Sequence, residues 1–196
     1  MIITITLLVL IALGFILYKN YSDKKLTNID DSKNTAAMVK NLLDKMIPQN
    51  DESAQISTKV MSDLDITESK FRILSANIAD RDSFRVSQMK GLYIQYLGGE
   101  YNIASSTYKN VMKDMTDIKG DILAKAYVKE MINHHNKTIS DAKDYIKLID
   151  KVRKASSNTQ DGLTVTTSHP AIDDSYNFAV EIIKDYQADI DTMKTF

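Results

Sequence analysis

The chain has no cysteine among its 196 residues. Disulfides, thiolate zinc sites and iron–sulfur clusters are therefore excluded. Glycine and proline are also scarce, six and two, and sites for turns are correspondingly few. No segment carries a clear run of strand alternation, so few turns point to long helices. Charge of one sign is missing as well. Twenty-five Lys and Arg are interspersed with 26 Asp and Glu for a net charge of −1, and without a basic stripe there is no footprint for nucleic acid. Nucleophile-elbow, phosphate-loop and HExxH patterns are absent. Glu130 precedes His134 by four residues, not the three of the Glu-x-x-His of carboxylate di-iron bundles, so the chain does not read as an enzyme. What remains, 43% hydrophobic and 26% charged residues, is an ordinary globular balance.

Residues 2–18 are almost wholly apolar, IITITLLVLIALGFILY. Seventeen residues at ~1.5 Å each span roughly 25 Å, the short end of what crosses a bilayer. The expectation is a single-pass transmembrane anchor spanning residues 1–19. A signal peptide would want a basic n-region, which is missing, although Ala12-x-Gly14 offers a weak cleavage site. Lys19, Lys24 and Lys25 follow the span and place the C-terminal body on the cytoplasmic or interior side. Residues 20–34 are polar and read as a juxtamembrane linker.

The rest divides into helical halves, residues 35–99 and 100–196. A first helix over 35–47 carries Met38, Leu42, Leu43 and Met46 and is ended by Pro48-Gln49-Asn50-Asp51, since the residue before proline avoids α geometry. Asp51 or Ser53 caps the next, which runs to Leu97 with Val60, Leu64, Phe71, Leu74 and Ile78 on one stripe. Val86, Met89, Tyr93 and Tyr96 continue that stripe after a phase slip near residues 80–83, which reads as a kink or short break. Gly98-Gly99 is an interior breaker, and residues 100–115 form another helix. Asp121 caps a long helix to about Ala155 with Ile122, Tyr127 or Val128, Met131, His135, Ile139, Ala142, Ile146 and Ile149 on its stripe. Residues 156–169 lack helical pattern, and Thr164 to Thr167 favour extended chain. Pro170 opens a last helix, with Ser168 or His169 at its cap and Phe178, Ile182, Tyr186 or Gln187, Ile190 and Met193 inward. The expected fold is all-α: an N-terminal transmembrane helix and an antiparallel bundle of four to six helices.

Met131, His134 and His135 stand at i, i+3 and i+4, on one helix face. A thioether and two imidazoles in one space suit copper first and zinc second. Alternatively, Met131 is core and the histidines are partly exposed polar residues. The stripe turns His135 inward and puts His134 at its edge.

The second half, about residues 101–196, resembles the family known as domain of unknown function 305. The family's Met-Ile-Pro-His-His helix is matched by MINHHNKTISDA, Met131 to Ala142. Its last helix is matched at Phe178, Ala179, Ile182, Ile183, Gln187, Asp189, Ile190 and Met193, and the spaced methionines of a preceding helix by Met112 and Met115. Asn133, Thr138 and Asp141 depart from the family's Pro, Ala and Met. The resemblance implies a ferritin-like bundle, and copper held by Met131, His134 and His135 with Met112, Met115 and Met193 as further ligands. MIPQNDES at 46–53 and residues 74–90 echo the two motifs without histidines, as a degenerate helical-hairpin repeat would. Two functions are expected. The first is a membrane-anchored structural or interaction protein that contacts protein partners and links a membrane to a protein layer such as a viral capsid, by analogy with the Ile-, Lys-, Asn-, Asp- and Tyr-rich composition. The alternative is a membrane-tethered copper-sequestering protein.

Overall fold

A computed structural model describes residues 34–102, 115, 117–157 and 169–196. They form helices and the segments joining them, with no strand among the described residues: α1 spans residues 34–62, α2 Ser69–Leu97, α3 Gly120–Ser157 and α4 Pro170–Met193. The chain divides into two compact units, Met1–Met38 and Val39–Phe196. Residues 34–38 are the described part of the first and are helical. The packed core belongs to the second. No helix among the described residues is long and apolar enough to cross a membrane; the expected anchor at 2–18, the expected linker at 20–34 except for its last residue, which is already helical, most of the helix at 100–115 and the expected extended run at 164–167 lie outside them.

Cross-helix partners give the directions. Arg81, Arg85 and Tyr96 of α2 meet Asp189, Asp185 and Asp174 of α4. One number rises as the other falls, so the pair is antiparallel. The same holds for α3 and α4 (His135 to Asp189, Tyr145 to Ser175, Arg153 to Asp173) and for α1 and α3 (Gln49 to Asp141, Glu52 to His134, Ser57 to Tyr127). Hence α1 runs with α4 and α2 with α3, and the chain between Leu97 and Gly120 joins opposite ends of the bundle. This is helical-bundle architecture with one long crossover between two hairpins.

The inner faces follow the 3.6-residue period. On α1 they are Val39, Leu42, Leu43, Met46, Ile47, Asn50, Ser53, Ala54, Ser57 and Val60, all buried. On α3 they include Ala124, Tyr127, Met131, His135, Thr138, Ile139, Ala142 and Tyr145. Aligning Met46 with Met131 superposes eight buried positions of α1 on these eight, and aligning Leu74 with Phe178 likewise matches Ile78, Asp82, Arg85, Val86 and Met89 to Ile182, Tyr186, Asp189, Ile190 and Met193.

Four expectations are corrected. Pro48 does not end α1, which continues to residue 62. Proline lacks the N–H that the Asp44 carbonyl would take in a helix, and the Tyr101 hydroxyl donates to that carbonyl instead at 3.4 Å. The stop falls at residues 63–68, where Leu64 points to solvent. Second, α2 has no break at 80–83. The apolar stripe of Phe71, Leu74 and Ile78 simply continues as Asp82 and Arg85, which are buried charges. Third, α3 begins at Gly120, ahead of Asp121. Gly120 takes a left-handed φ of 59°, a Cβ there would lie 3.1 Å from the Asp65 carbonyl, and its N–H donates to Asp63 Oδ2 at 3.0 Å. Asp121 instead accepts from the Thr67 N–H at 3.0 Å, so two aspartates stitch the α1–α2 loop to the start of α3. Fourth, Ile122 is exposed and Leu123 takes its inward place. The other boundaries agree with expectation: Gly98 ends α2 in the left-handed conformation that favours glycine, its N–H on the Ile94 carbonyl, and His169 caps α4 ahead of Pro170, its Nδ1 accepting from the Ala171 N–H at 3.3 Å.

Candidate functional site

At mid-height each helix turns polar groups inward. From α2, Asp82 is fully buried. Its Oδ2 accepts from Ser53 Oγ of α1 at 2.5 Å and from the Tyr186 hydroxyl of α4 at 3.0 Å. Its Oδ1 accepts from Arg85 at 3.3 Å and Arg81 at 3.4 Å. Those guanidinium groups reach on to α4, Arg81 forking onto both oxygens of Asp189 and Arg85 donating to Asp185. Tyr186 Oη is also 2.9 Å from Asn50 Oδ1, so one phenolic proton serves two acceptors. Burial, and then the charge of Asp82, push this phenol well above its ordinary value, which keeps the proton in place. Both guanidinium groups lie over the Tyr186 ring, at 5.5 and 5.3 Å from its centre, within cation–π range.

His135 joins from α3. Its ring stacks on Tyr186, 3.8 Å between centres and 4° from parallel, and its Nε2 donates to Asp189 Oδ2 at 3.1 Å. Burial alone would raise the Asp189 carboxyl; the hydrogen bonds from His135 and Arg81 outweigh it and hold the group below its usual value. The ions here are satisfied by one another, as buried charges must be.

His134 is one residue away and differently placed. It faces α1, with its side chain 11% exposed. Neither of its ring nitrogens makes a hydrogen bond of good geometry, the Gln49 backbone being the one group within weak reach, and Nδ1 of His135 and Oε1 of Gln49 lack a partner too. Its nearest charge is Glu52, with Oε2 at 3.9 Å from Nε2, beyond hydrogen-bond reach. Burial, then the electrostatic influence of His135 and Lys137, lowers the His134 pKa to about 3 against an opposing hydrogen bond to the Gln49 backbone, and burial raises that of Glu52. Both groups are thus pressed towards their neutral forms. Below the polar level, Tyr127 and Ser57 share a hydrogen bond of 2.9 Å.

The expected ligand residues separate into three groups. His134 and His135 are side by side, ring centres 5.9 Å apart. Met131 and Met193 are fully buried, each one helical turn from the His135–Asp189 pair and so level with each other. Met115 is buried, its carbonyl accepting from Lys59 Nζ. Lys59 lies seven residues along α1 from Glu52, about 10 Å, so Met115 is well removed from the His134 level. Met112 lies outside the described residues. Among the described residues no three His, Asp or Glu side chains are grouped so as to hold a metal ion.

Sequence reasoning missed Asp82, Arg85, Asp189, Asn50, Glu52 and Gln49. A signal was present: counting on from Leu74 and Ile78 lands on Asp82 and Arg85, and a charge on a core stripe needs a partner inside.

No family model, curated protein or solved structure matches the chain.

Proposed function

We propose that this is a structural interaction protein: a helical bundle tethered to a membrane through residues 2–18 that engages a protein partner through the outer face of α2. The observation that carries the reading is on that face. Ile73, Phe84 and Ile94 are 61%, 64% and 54% exposed, and they recur on one side of a 29-residue helix whose other side already fills the core. Three large apolar side chains exposed on one side of the helix, about 15 Å apart along its axis, are what this reading offers a partner. The buried ionic level beneath it holds α2 rigidly to α4, as a presented surface requires. The partner fits a capsid or other protein layer apposed to the membrane, with the bundle on the cytoplasmic or interior side. Two hairpins joined by a crossover, with matching buried positions in α1 and α3 and in α2 and α4, support the ferritin-like reading, the resemblance to domain of unknown function 305 and an internal duplication.

A photo-crosslinking side chain at position 84 of the full chain in its own membrane is expected to capture protein. The same group at Lys147, exposed on α3, is expected to capture little. Equal yields at the two positions would end the reading.

A second reading, metal binding, is favoured by the four partnerless buried atoms on Gln49, His134 and His135. Nε2–H of His135 on a carboxylate is the arrangement that supports a ligating histidine. Copper or zinc would then be held by His134 and His135, with Met131 and Met193 one turn away, and would be sequestered without chemistry on a substrate. Copper titration of the full chain tests it: affinity unchanged by His134→Ala with His135→Ala sinks it.

A further inference from the structure

The charges of α3 bear on which side of the bundle meets the membrane, an assignment that rests on the tether reading. Along the chain Lys, Asp and Glu are interleaved, and no basic run is visible. The helix sorts them. Lys125, Lys129, Lys143, Lys147 and Lys151 are all exposed, and exposed Asn133, Asn136 and Ser140 fill the space between the two lysine groups. At ~100° per residue these positions fall within an arc of ~80°, on the side opposite buried Met131, Thr138 and Tyr145. The acids of α3 stand off this arc. Asp141 faces α1, where Gln49 and Lys45 engage it, and Asp121 holds Thr67. Glu130 and Asp150 are half-buried on the flanks. Asp144 borders the arc, 3.5 Å from Lys147. The result is a basic face roughly 39 Å long at ~1.5 Å per residue, with Ile122 exposed at one end.

We infer that this lysine face of α3 lies against the anionic phospholipid headgroups of the membrane that anchors the chain, so that α2 looks away from it. The pairing of the helices supports that orientation. Helix α1 meets α2 through Ser53 and Asp82 and α3 through Glu52 and His134, and α4 meets α2 through Arg81 and α3 through His135. Helices α2 and α3 therefore occupy opposite corners. A bundle resting on α3 turns Ile73, Phe84 and Ile94 outward, as a link between a membrane and a protein layer requires. The sign of charge agrees, because the cytoplasmic leaflet is the anionic one and draws lysines to it. The residue type agrees too. Ammonium groups on flexible stems meet headgroups without fixed partner geometry, whereas nucleic-acid surfaces use arginine forks and stacking aromatics, which this face lacks. Residues 19–33, at no more than ~3.5 Å each, reach roughly 50 Å, enough for the bundle to lie on its side.

The absence of cysteine lets single labels report the orientation. The full chain is reconstituted in phosphatidylcholine vesicles, with or without phosphatidylserine, that carry a headgroup-linked energy-transfer acceptor. A donor is attached through Ser140→Cys on the lysine face or through Ser87→Cys on the outer side of α2, both exposed positions. Phosphatidylserine is expected to raise transfer from position 140 relative to position 87 by about two-fold or more, and ~1 M salt, with its Debye length of ~3 Å, to reverse the rise. Lys125→Gln, Lys129→Gln, Lys143→Gln, Lys147→Gln and Lys151→Gln together are expected to abolish it in a chain that keeps its helical circular dichroism. A rise that survives those five changes overturns the inference. Chain that floats with both kinds of vesicle, with the same transfer ratio in each, overturns it and leaves the tether reading standing. Chain that floats with neither overturns both. A DNA duplex that binds the chain more tightly than phosphatidylserine vesicles do, at the same ionic strength, makes the face a nucleic-acid surface and overturns the lipid assignment.

Discussion

His135 and His134 are adjacent on α3, yet His135 donates to Asp189 and stacks on Tyr186 while the ring of His134 reaches at most the Gln49 backbone, without good hydrogen-bond geometry. The contrast extends to their surroundings. Around His135, two arginines and three aspartates answer one another between α2 and α4. Around His134, Gln49 and Glu52 of α1 enclose a histidine and a carboxyl that burial drives towards neutrality. Two neighbouring rings thus meet opposite consequences. Desolvation is offset where charges are paired and remains uncompensated where they are not. The first region fixes which helices pair; the second keeps free electron pairs inside the bundle, the property a ligand site needs.

The largest expected difference comes from removing one partner on the satisfied side. Asp82→Ala leaves Arg85 with Asp185 alone and Tyr186 with Asn50 alone, strands Ser53, and should destabilise the fold by ~3–5 kcal/mol. Urea denaturation at pH 7 measures it. A cost under 1 kcal/mol would show the ionic level to be dispensable.

His134 sharpens the contrast through pH. Its folded pKa, about 3, lies below the ordinary 6.5, so the unfolded chain binds more protons between those values. Its contribution to stability is complete above pH 6.5 and declines as pH falls towards 3. At pH 5, 1.5 units below the unfolded value, the loss is at most about 2 kcal/mol. Against His134→Leu, the wild type should therefore lose about that much between pH 7.5 and 5 when urea midpoints are compared. Parallel curves for the two proteins would show that the ring is not desolvated as described.

Glu52 carries the opposite sign. Its raised folded pKa means that stability is lost as pH rises from the unfolded value, near 4.5, through the folded one. Removing that charge should help: Glu52→Gln is expected to raise stability at pH 7 by up to ~1 kcal/mol, the scale of a buried polar group relieved of charge. A decrease would mean that Glu52 holds a partner, and would turn attention to a bound cation.

Much of this fold was legible in the sequence because it rests on apolar spacing. The stripes of α3 and α4, the Gly98 stop and the His169–Pro170 start are local signals of period and backbone geometry, and His135 was placed inward by counting alone. The ionic level was illegible for a physical reason. Hydropathy treats Asp82 and Arg85 as surface residues, and only the third dimension shows Asp185 and Asp189, a hundred positions away, coming to meet them. Hence a continuous α2 reads as broken near residue 80. The partnerless state of His134 was equally hidden, since a sequence shows which groups are polar and not which find partners.

Pro48 offers the finest version of the same question, whether a part-buried polar group has its partner. The Asp44 carbonyl lacks the N–H of residue 48 and takes the Tyr101 hydroxyl at 3.4 Å. The bond is long, so Tyr101→Phe should cost under ~1 kcal/mol. In a Pro48→Ala background the new N–H takes the carbonyl, and the same Tyr101 change should then cost nearly nothing. The non-additivity of the two changes isolates the contact from the packing of the ring against Tyr93, centres 5.1 Å apart, because that packing is retained in both backgrounds. Equal costs in the two backgrounds would mean that the hydroxyl stabilises something other than the gap in α1, and that the helix passes through its proline unaided.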